Sequence, residues 1–572
     1  MNYLDLMNNF SVSDLQKILG KEIIENLNEW NYGQEDKWSK TKLVSMIDTL
    51  YGINILKNQF VREKLLLAMQ ENQIEELSRK YLADKQAGNL QEACKLLSEK
   101  IWGNNSLSLE LLSIWGLNRN IFENTDKRNL EIVSKVISDE RFYELLDYQF
   151  FIKQRVLNIL NSTMPLGKVL VHMPTGTGKT KTAMHIITNF IEFTLKKTGI
   201  VIWVAHTTEL LEQAYSTFCS VWKHLGDGEI NVYKLWGNTN IYECSEPLNG
   251  IVFCGLGKLM AVAKTNKNLI SRLVNDCRLF VFDEAHKAAA PETKKIIDAF
   301  MIKKSGMENR FLLGLTATPG RTSNYSDENK NFSIMFENRI ISIDSEIINY
   351  MNLGKQVSEN SYSEKNIIKY FQERKILSKM EKEELEYVQN FSDEELCILK
   401  SSFNQSAETD FTDKQLEIFA RNKNRNQAIL AGLRRMYSLK KPTIVFACSV
   451  LHAKMLSAIL RLEEIPSCVV TGDMNPIDRK KAIDSFKDRN NPCNIIINFD
   501  VLTTGFDSKN IQCVFITRPT KSIVLYSQML GRGLRGPLMG GQEKCLLIDV
   551  KDNLASFDNE KSFSYFDSYW NK

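Results

Sequence analysis

The 572-residue chain is poor in the features that mark several broad protein classes. Its eleven cysteines are scattered and contain no C-x-x-C pair, which excludes a disulfide scaffold of the secreted type and a paired-cysteine zinc or redox motif. Cys254, Cys448 and Cys513 fall in apolar runs and read as small core residues, as suits a reducing cytoplasm. The six histidines show no metal-ligand spacing. No apolar run reaches membrane-spanning length. The opening MNYLDLMNNF lacks a basic n-region and an apolar core, so a cytoplasmic chain without a secretory signal is expected. Lys and Arg number 73 against 69 Asp and Glu, a net charge of +4. There is no global basic field, so a polyanion would have to be gripped by a local stripe of residues.

Against those absences stand two loops, each delivered by a short apolar strand. Residues 168–180 read KVLVHMPTGTGKT, and residues 279–286 read LFVFDEAH. The first presents Pro174, Thr175, Gly176, Thr177, Gly178, Lys179 and Thr180, followed by a helical stretch from Lys181 to Leu195. Glycines let backbone N–H groups turn inward onto a triphosphate. The helix behind them aims its positive end at the same phosphates. Lys179 would reach the β/γ-phosphates and the Thr180 hydroxyl would hold Mg²⁺. One departure is Met173, where the strict G-x-x-x-x-G-K-[ST] pattern has glycine. In the second loop, Asp283 would hold the metal, mostly through water, and Glu284 would orient and deprotonate the attacking water. The pair of loops points to ATP hydrolysis.

With 43% apolar and 25% charged residues, the composition is that of a soluble globular protein of several domains. Residues 1–140 carry helical periodicity, clearest in VREKLLLAMQENQIEELSRKYL from Val61 to Leu82. Trp30, Trp38, Trp102 and Trp115 are expected to anchor a small helical core. With no nuclease carboxylate cluster and no zinc site, this region reads as a packing or partner-docking domain. Residues 141–325 alternate strands (168–173, 199–205, 250–254, 278–283, 311–316) with helices, the pattern of a parallel sheet buried on both faces. Residues 326–437 return to charged helical patterns, with KMEKEELEYVQ the clearest run, and read as a helical insertion or connector. Alternation resumes in 438–572, at 443–447, 467–471, 494–498, 513–517 and 544–550; Asn475 and Pro476 suit a helix start there. The expected fold is α/β, with two tandem parallel-sheet lobes, an N-terminal helical domain and a helical insertion.

The second lobe has no phosphate loop. It has Gln528-Met529-Leu530-Gly531-Arg532-Gly533-Leu534-Arg535, which sets two guanidinium groups about one helical turn apart. Such arginines can enter a nucleotide cleft from the opposite lobe and neutralise charge developing on the γ-phosphate.

With these motifs in order, the chain over about 145–550 resembles the superfamily 2 helicases and translocases. Within them it is most similar to the DEAH-type branch of restriction-enzyme motor subunits. The resemblance implies RecA-like lobes that use ATP and Mg²⁺. It makes Tyr148 and Gln149 the adenine-recognition element, with Gln154 competing. It places His206 and Thr207, in VIWVAHTTELLEQA, on a nucleic-acid strand. Thr316 and Thr318 in FLLGLTATPGR, with His286, would couple hydrolysis to lobe movement. TIVFACSVLHA matches the first motif of the second lobe, which brings Ser449 and His452 toward nucleic acid. In VLTTGFD, Thr503 and Thr504 would face nucleic-acid phosphate, and Gly505 and Asp507 the nucleotide. Gln528, Arg532 and Arg535 complete the catalytic set with Glu284. Gly255 stands where the family usually has threonine, with Lys258 nearby.

The resulting expectation is a DNA translocase or helicase, the motor of a restriction or phage-defence assembly, with the defence context carried by the resemblance alone. An RNA helicase and a nucleotide-gated clamp without turnover are the alternatives. Any nuclease or defence subunit would be separate and dock on residues 1–140.

Overall fold

The computed structural model describes residues 2–30, 39–82, 88–117, 133–137, 144–161, 166–196, 198–237, 248–288, 290–302, 310–319, 326–343, 347, 367–404, 410–474, 476–488, 490–506 and 508–552. Two sheets organise them. The first contains β1 (Val133–Ile137), β2 (Leu166–His172), β3 (Ile200–Ala205), β4 (Glu229–Leu235), β5 (Gly250–Gly255), β6 (Cys277–Asp283), β7 (Arg310–Thr316) and β8 (Ile340–Ile341), in the order β1-β4-β5-β3-β6-β7-β2-β8. The second contains β9 (Lys379–Leu385), β10 (Thr443–Phe446), β11 (Ser467–Val470), β12 (Ile495–Asn498), β13 (Cys513–Ile516) and β14 (Lys544–Val550), in the order β11-β12-β10-β13-β14-β9. The second sheet is parallel throughout. The first is parallel except where β1 runs antiparallel to β4.

The central strands are apolar on both faces because helices cover both. Every residue of β3, β5 and β7 is buried, as expected of a doubly covered parallel sheet. In such sheets ligands collect at the carboxyl ends of the strands. The phosphate loop follows β2 and the Asp-Glu pair ends β6, with β7 between them in the sheet. The loop is tied to that middle strand by the Met173 N–H, which donates to the Thr316 carbonyl at 3.1 Å.

Three sequence expectations are revised. Residues 133–137, expected within the helical domain, form β1 on the edge of the first sheet. The expected helical stretch 326–437 contains β8, paired with β2, and β9, paired with β14. The charged KMEKEEL run is thus an edge strand. Lys544 and Lys551 on and beyond β14 pair with Glu381 at 2.6 Å and Glu384 at 3.7 Å. Charges of this kind are typical of a sheet edge that must not recruit another strand. The long amphipathic run from Val61 to Leu82 is two helices, Gln59–Leu67 and Glu71–Tyr81.

The N-terminal region is helical from Tyr3–Met7 to Ser106–Ile114. Six of its helices begin at an Asn or Ser (Asn2, Ser11, Ser39, Asn58, Asn89, Asn105) whose side chain accepts a backbone N–H of the first turn, each worth about 1 kcal/mol. Trp30 and Trp115 are buried in its core and Trp102 packs against it, while Trp38 lies outside the described residues. The core continues into the second lobe. Leu43, Ile47 and Leu50 belong to the same apolar cluster as Met455, Leu456 and Ile459, so helix Lys40–Tyr51 rests on helix Val450–Leu462. Although it precedes the first lobe in sequence, this region is packed onto the second. Among the described residues no helix is long and apolar enough to cross a membrane.

Candidate active site between the lobes

Two glycines with positive φ, Gly176 (87°) and Gly178 (82°), shape the phosphate loop, a backbone region in which a Cβ is strained. Met173 explains itself. It is buried in the first-lobe core at the end of the strand and has no left-handed φ, so nothing there requires glycine. Gly255 has a local cause too, because a Cβ on it would lie 3.3 Å from Trp236 Cβ.

At the carboxyl edge, Lys179 Nζ lies 3.5 Å from Asp283 Oδ1 and 3.4 Å from Glu284 Oε1. All three groups are nearly inaccessible, and Glu284 has a left-handed φ of 53°. Burial would raise the Glu284 carboxyl, but Lys179 and Arg532 outweigh it and hold it down at about 2. Burial and the neighbouring Glu284 push Asp283 up, against the pull of Lys179. Burial lowers His286 to about 3, so its ring is neutral. Its 3.5 Å approach to Glu284 Oε2 is therefore a polar contact and not an ion pair. His286 Nδ1 also lies 3.4 Å from Thr316 Oγ1, whose own proton goes to the Thr318 carbonyl at 2.6 Å. On the other side the Gln528 amide approaches His286 Nε2 at 3.3 Å. With Nε2 accepting from that amide, the ring proton falls on Nδ1, facing Glu284 and Thr316.

Gln528 belongs to the second lobe, so this chain of contacts crosses between lobes. Arg532 and Arg535 line the same cleft, of about 270 Å³, together with Lys179, Thr180, Asp283 and Glu284. Arg532 Nη1 donates to the Phe506 carbonyl at 2.5 Å and its Nε to the Gln528 carbonyl at 3.2 Å. The approach is close enough that a Cβ on Gly531 would sit 2.6 Å from Thr175 Cγ2. A Cβ on Gly505 (φ 69°) would likewise meet the Leu210 nitrogen at 2.9 Å.

Other expected residues fall elsewhere. Tyr148 and Gln149 are buried and do not line the cleft. The Tyr148 hydroxyl and the Gln149 amide both donate to the Thr177 carbonyl, at 2.6 and 2.8 Å, and so brace the loop. Gln154 is exposed. Asp507 lies outside the described residues. His206 stands with its ring edge on Phe282 at 5.5 Å and is lowered to about 4 by burial and Lys287. Thr207 caps helix Thr208–Leu225, and Ser449 caps helix Val450–Leu462. Lys258, on helix Leu256–Thr265, is half-buried. Thr503 and Thr504 are buried, and the Thr503 hydroxyl donates to the Asp500 carbonyl at 2.5 Å. The nucleic-acid expectation for His452 is corrected. It is buried, with Nδ1 accepting from the Cys448 N–H at 3.1 Å, Nε2 on Asn426 Oδ1 at 2.9 Å and Trp30 edge-on at 6.3 Å.

One cross-lobe contact gave no sequence signal. Arg479 Nη1 donates to Glu209 Oε1 at 2.7 Å, and both side chains are about one-fifth exposed. In the sequence Arg479 is one basic residue in a charged helix, indistinguishable from its neighbours.

Two family descriptions match this chain in the order of its sheets. "Type III restriction enzyme, res subunit" matches residues 142–321, and "Helicase conserved C-terminal domain" matches residues 424–536. With two parallel-sheet lobes closing on one cleft, the chain belongs to the superfamily 2 helicases, and its first lobe matches the restriction-enzyme res-subunit description. The chain named as an ATP-dependent helicase, IRC3, of Saccharomyces cerevisiae is 26% identical over 415 residues, covering 71% of this chain and 51% of that protein. This chain thus spans about half the length of that relative. The DEAD-box ATP-dependent RNA helicase 57 of Arabidopsis thaliana is 32% identical over 123 residues, covering 21% of this chain and 22% of its own. Among solved structures, a fragment described as an HsdR subunit of a type I restriction enzyme from Vibrio vulnificus YJ016 aligns with a TM-score of 0.45 and 19% identity, over 72% of this chain and 66% of that one. Helicase modules thus occupy both lobes, and the curated relatives matched are named as ATP-dependent helicases.

Proposed function

We propose that this protein is an ATP-driven motor that moves along DNA, the motor part of a restriction or phage-defence assembly whose nuclease is a separate chain. The observation that carries the motor reading is the convergence of Lys179, Asp283 and Glu284 with Arg532 and Arg535 on one cleft between two lobes. Lys179 holds the β/γ-phosphates, and Glu284, ionised at neutral pH, orients and deprotonates water. Arg532 and Arg535 meet the charge developing on the γ-phosphate only when the lobes close. The His286–Gln528 contact reports the first-lobe site to the second lobe. Thr180 and Asp283 offer a hydroxyl and a carboxylate at the same cleft, an all-oxygen set that suits Mg²⁺. Among the described residues no cluster of three or more acidic, His or Cys side chains could cage a metal alone, in keeping with an ion shared with substrate phosphates. Mg²⁺ held there supplies charge neutralisation to the β- and γ-phosphate oxygens.

The expected strand contacts His206, Thr207, Lys258, Ser449, Thr503 and Thr504 lie at or just beyond the carboxyl ends of β3, β5, β10 and β12. Contacts there would be to backbone phosphate, with weak sequence preference and strong salt dependence. The match to the restriction-enzyme res subunit supports DNA and the defence setting. The match to a chain named as an RNA helicase supports RNA as the second reading. A cytoplasmic location is supported by the scattered cysteines, which suit a reducing compartment. The experiment is the ATPase rate with duplex DNA, single-stranded DNA and RNA added in turn. Stimulation by DNA is expected; stimulation by RNA alone would transfer the assignment, and hydrolysis indifferent to all three would end it.

A further inference from the structure

Outside the ATP cleft, one carboxylate is bound as an anion. After β13 the chain runs Thr517, Arg518, Pro519, Thr520, Lys521 and Ser522 into helix Ile523–Leu530. Asp410, from the segment between β9 and β10, inserts into this turn. Its two oxygens accept from Thr520 Oγ1 at 3.1 and 3.0 Å, and Oδ1 also accepts from the Lys521 backbone N–H at 2.8 Å. Its Oδ2 lies 3.9 Å from Arg518 Nη2. Arg518 Nη1 is paired with Asp500, and the Arg518 side chain is only 12% exposed. Its Nε is buried and finds no acceptor among the described residues. The Lys521 ammonium stands 5.1 Å over the Phe411 ring.

A guanidinium, a hydroxyl and a backbone amide gathered ahead of a helix are the donors that hold a phosphate. The place is suitable as well. Arg518 follows β13, which neighbours β10, and Asp500 follows β12, just before Thr503 and Thr504. This is the carboxyl edge to which the strand contacts are assigned above. Asp410 and Asp500 together cancel the charges of Arg518 and Lys521, so an incoming anion must displace one of them. Asp410 is the one that takes the Thr520 and Lys521 donors, and it comes from outside the sheet.

We infer that Arg518, Thr520 and the Lys521 amide form a subsite for a backbone phosphate of the nucleic-acid strand, and that Asp410 fills it as an internal stand-in which the strand displaces. This rests on the nucleic-acid reading above. The segment bearing Asp410 packs in a small cluster of Leu399, Phe411, Leu416 and Phe419 with Cys448 of the second lobe, apart from the larger cores of the sheets, so its displacement leaves those cores intact. Asp410 thereby sets a threshold against binding in the absence of a strand.

The test is nucleotide-free binding of a labelled single-stranded DNA, and of an RNA of the same sequence, across a salt series. The proteins are wild type, Asp410→Asn, Asp410→Ala and Asp410→Ala/Arg518→Gln, each checked by thermal melting; the asparagine keeps size and an acceptor oxygen. Both single variants should bind about tenfold tighter, with the log affinity–log salt slope steeper by about one. The double variant should lose the gain. Unchanged affinity and slope in both Asp410 variants, with wild type binding, would overturn the subsite, as would a gain that survives Arg518→Gln. If no protein bound either strand, the nucleic-acid reading itself would fail and the subsite with it.

Discussion

In the first lobe the reacting groups stand at strand ends, whereas in the second they hang from the end of a helix. Asp283 closes β6, which is hydrogen-bonded on both sides by β3 and β7, and Lys179 opens the helix behind the phosphate loop. Their positions are fixed by the sheet. Arg532 and Arg535 follow helix Ile523–Leu530 on long side chains that face the first lobe. The same parallel-sheet plan therefore serves two tasks. The first lobe holds nucleotide and water in a rigid frame, and the second supplies charge that counts only while the lobes touch. The contacts that report closure, Gln528 to His286 and Arg479 to Glu209, both come from residues that precede those arginines in the sequence of the second lobe.

This division can be broken one group at a time. Arg535→Ala should reduce stimulated ATP turnover by about 10³-fold or more while leaving nucleotide affinity within a few-fold, as read by steady-state kinetics beside equilibrium binding. A large loss of affinity with normal turnover would move Arg535 from the second task to the first. Glu284→Gln should reduce turnover by about 10²- to 10⁴-fold with ATP still bound. The same variant should alter acid stability. A carboxyl held at about 2, against an ordinary 4.5, stabilises the folded state above the ordinary value and loses that contribution as pH falls through 2. Removing it should flatten the acid limb of a pH-dependent melt, while the upward-shifted Asp283 adds a dependence of opposite sign. Trp30→Ala should destabilise the N-terminal helices and the second lobe together by about 3 kcal/mol, because one apolar core spans both; separate transitions in calorimetry, with the second lobe unmoved, would contradict that. Gln528→Ala should be the mildest, about 1 kcal/mol for one cross-lobe hydrogen bond, seen as a several-fold loss of nucleic-acid stimulation with basal hydrolysis less affected.

Strand-and-loop motifs were the legible part of this chain, because a buried parallel strand is a short continuous apolar run and a phosphate loop needs glycine at set places. Lys179, Asp283 and Glu284 follow from such signals, Arg532 and Arg535 from their spacing of about one helical turn, and the fold brings all five to one cleft. What sequence could not carry was which side chains the lobes bury. Ser449 and His452 follow a matching strand motif, yet the histidine is covered by Trp30 from a region more than 400 residues earlier. KMEKEEL was read as helix because its charges gave no alternation, and its strand state comes from the lysines of β14. Arg479 and Asp410 had no motif at all; only the closed packing shows their partners.

The central claim is that one active site is made and unmade by lobe closure, and the Arg479–Glu209 pair offers the most direct measurement. In a background with Cys219, Cys244 and Cys397 replaced by serine, Glu209→Cys/Arg479→Cys can be bridged by a short cleavable thiol cross-linker and assayed for steady-state ATP turnover. The account predicts that bridging abolishes repeated turnover and that cleaving the linker restores it. Full turnover with the bridge intact would contradict it.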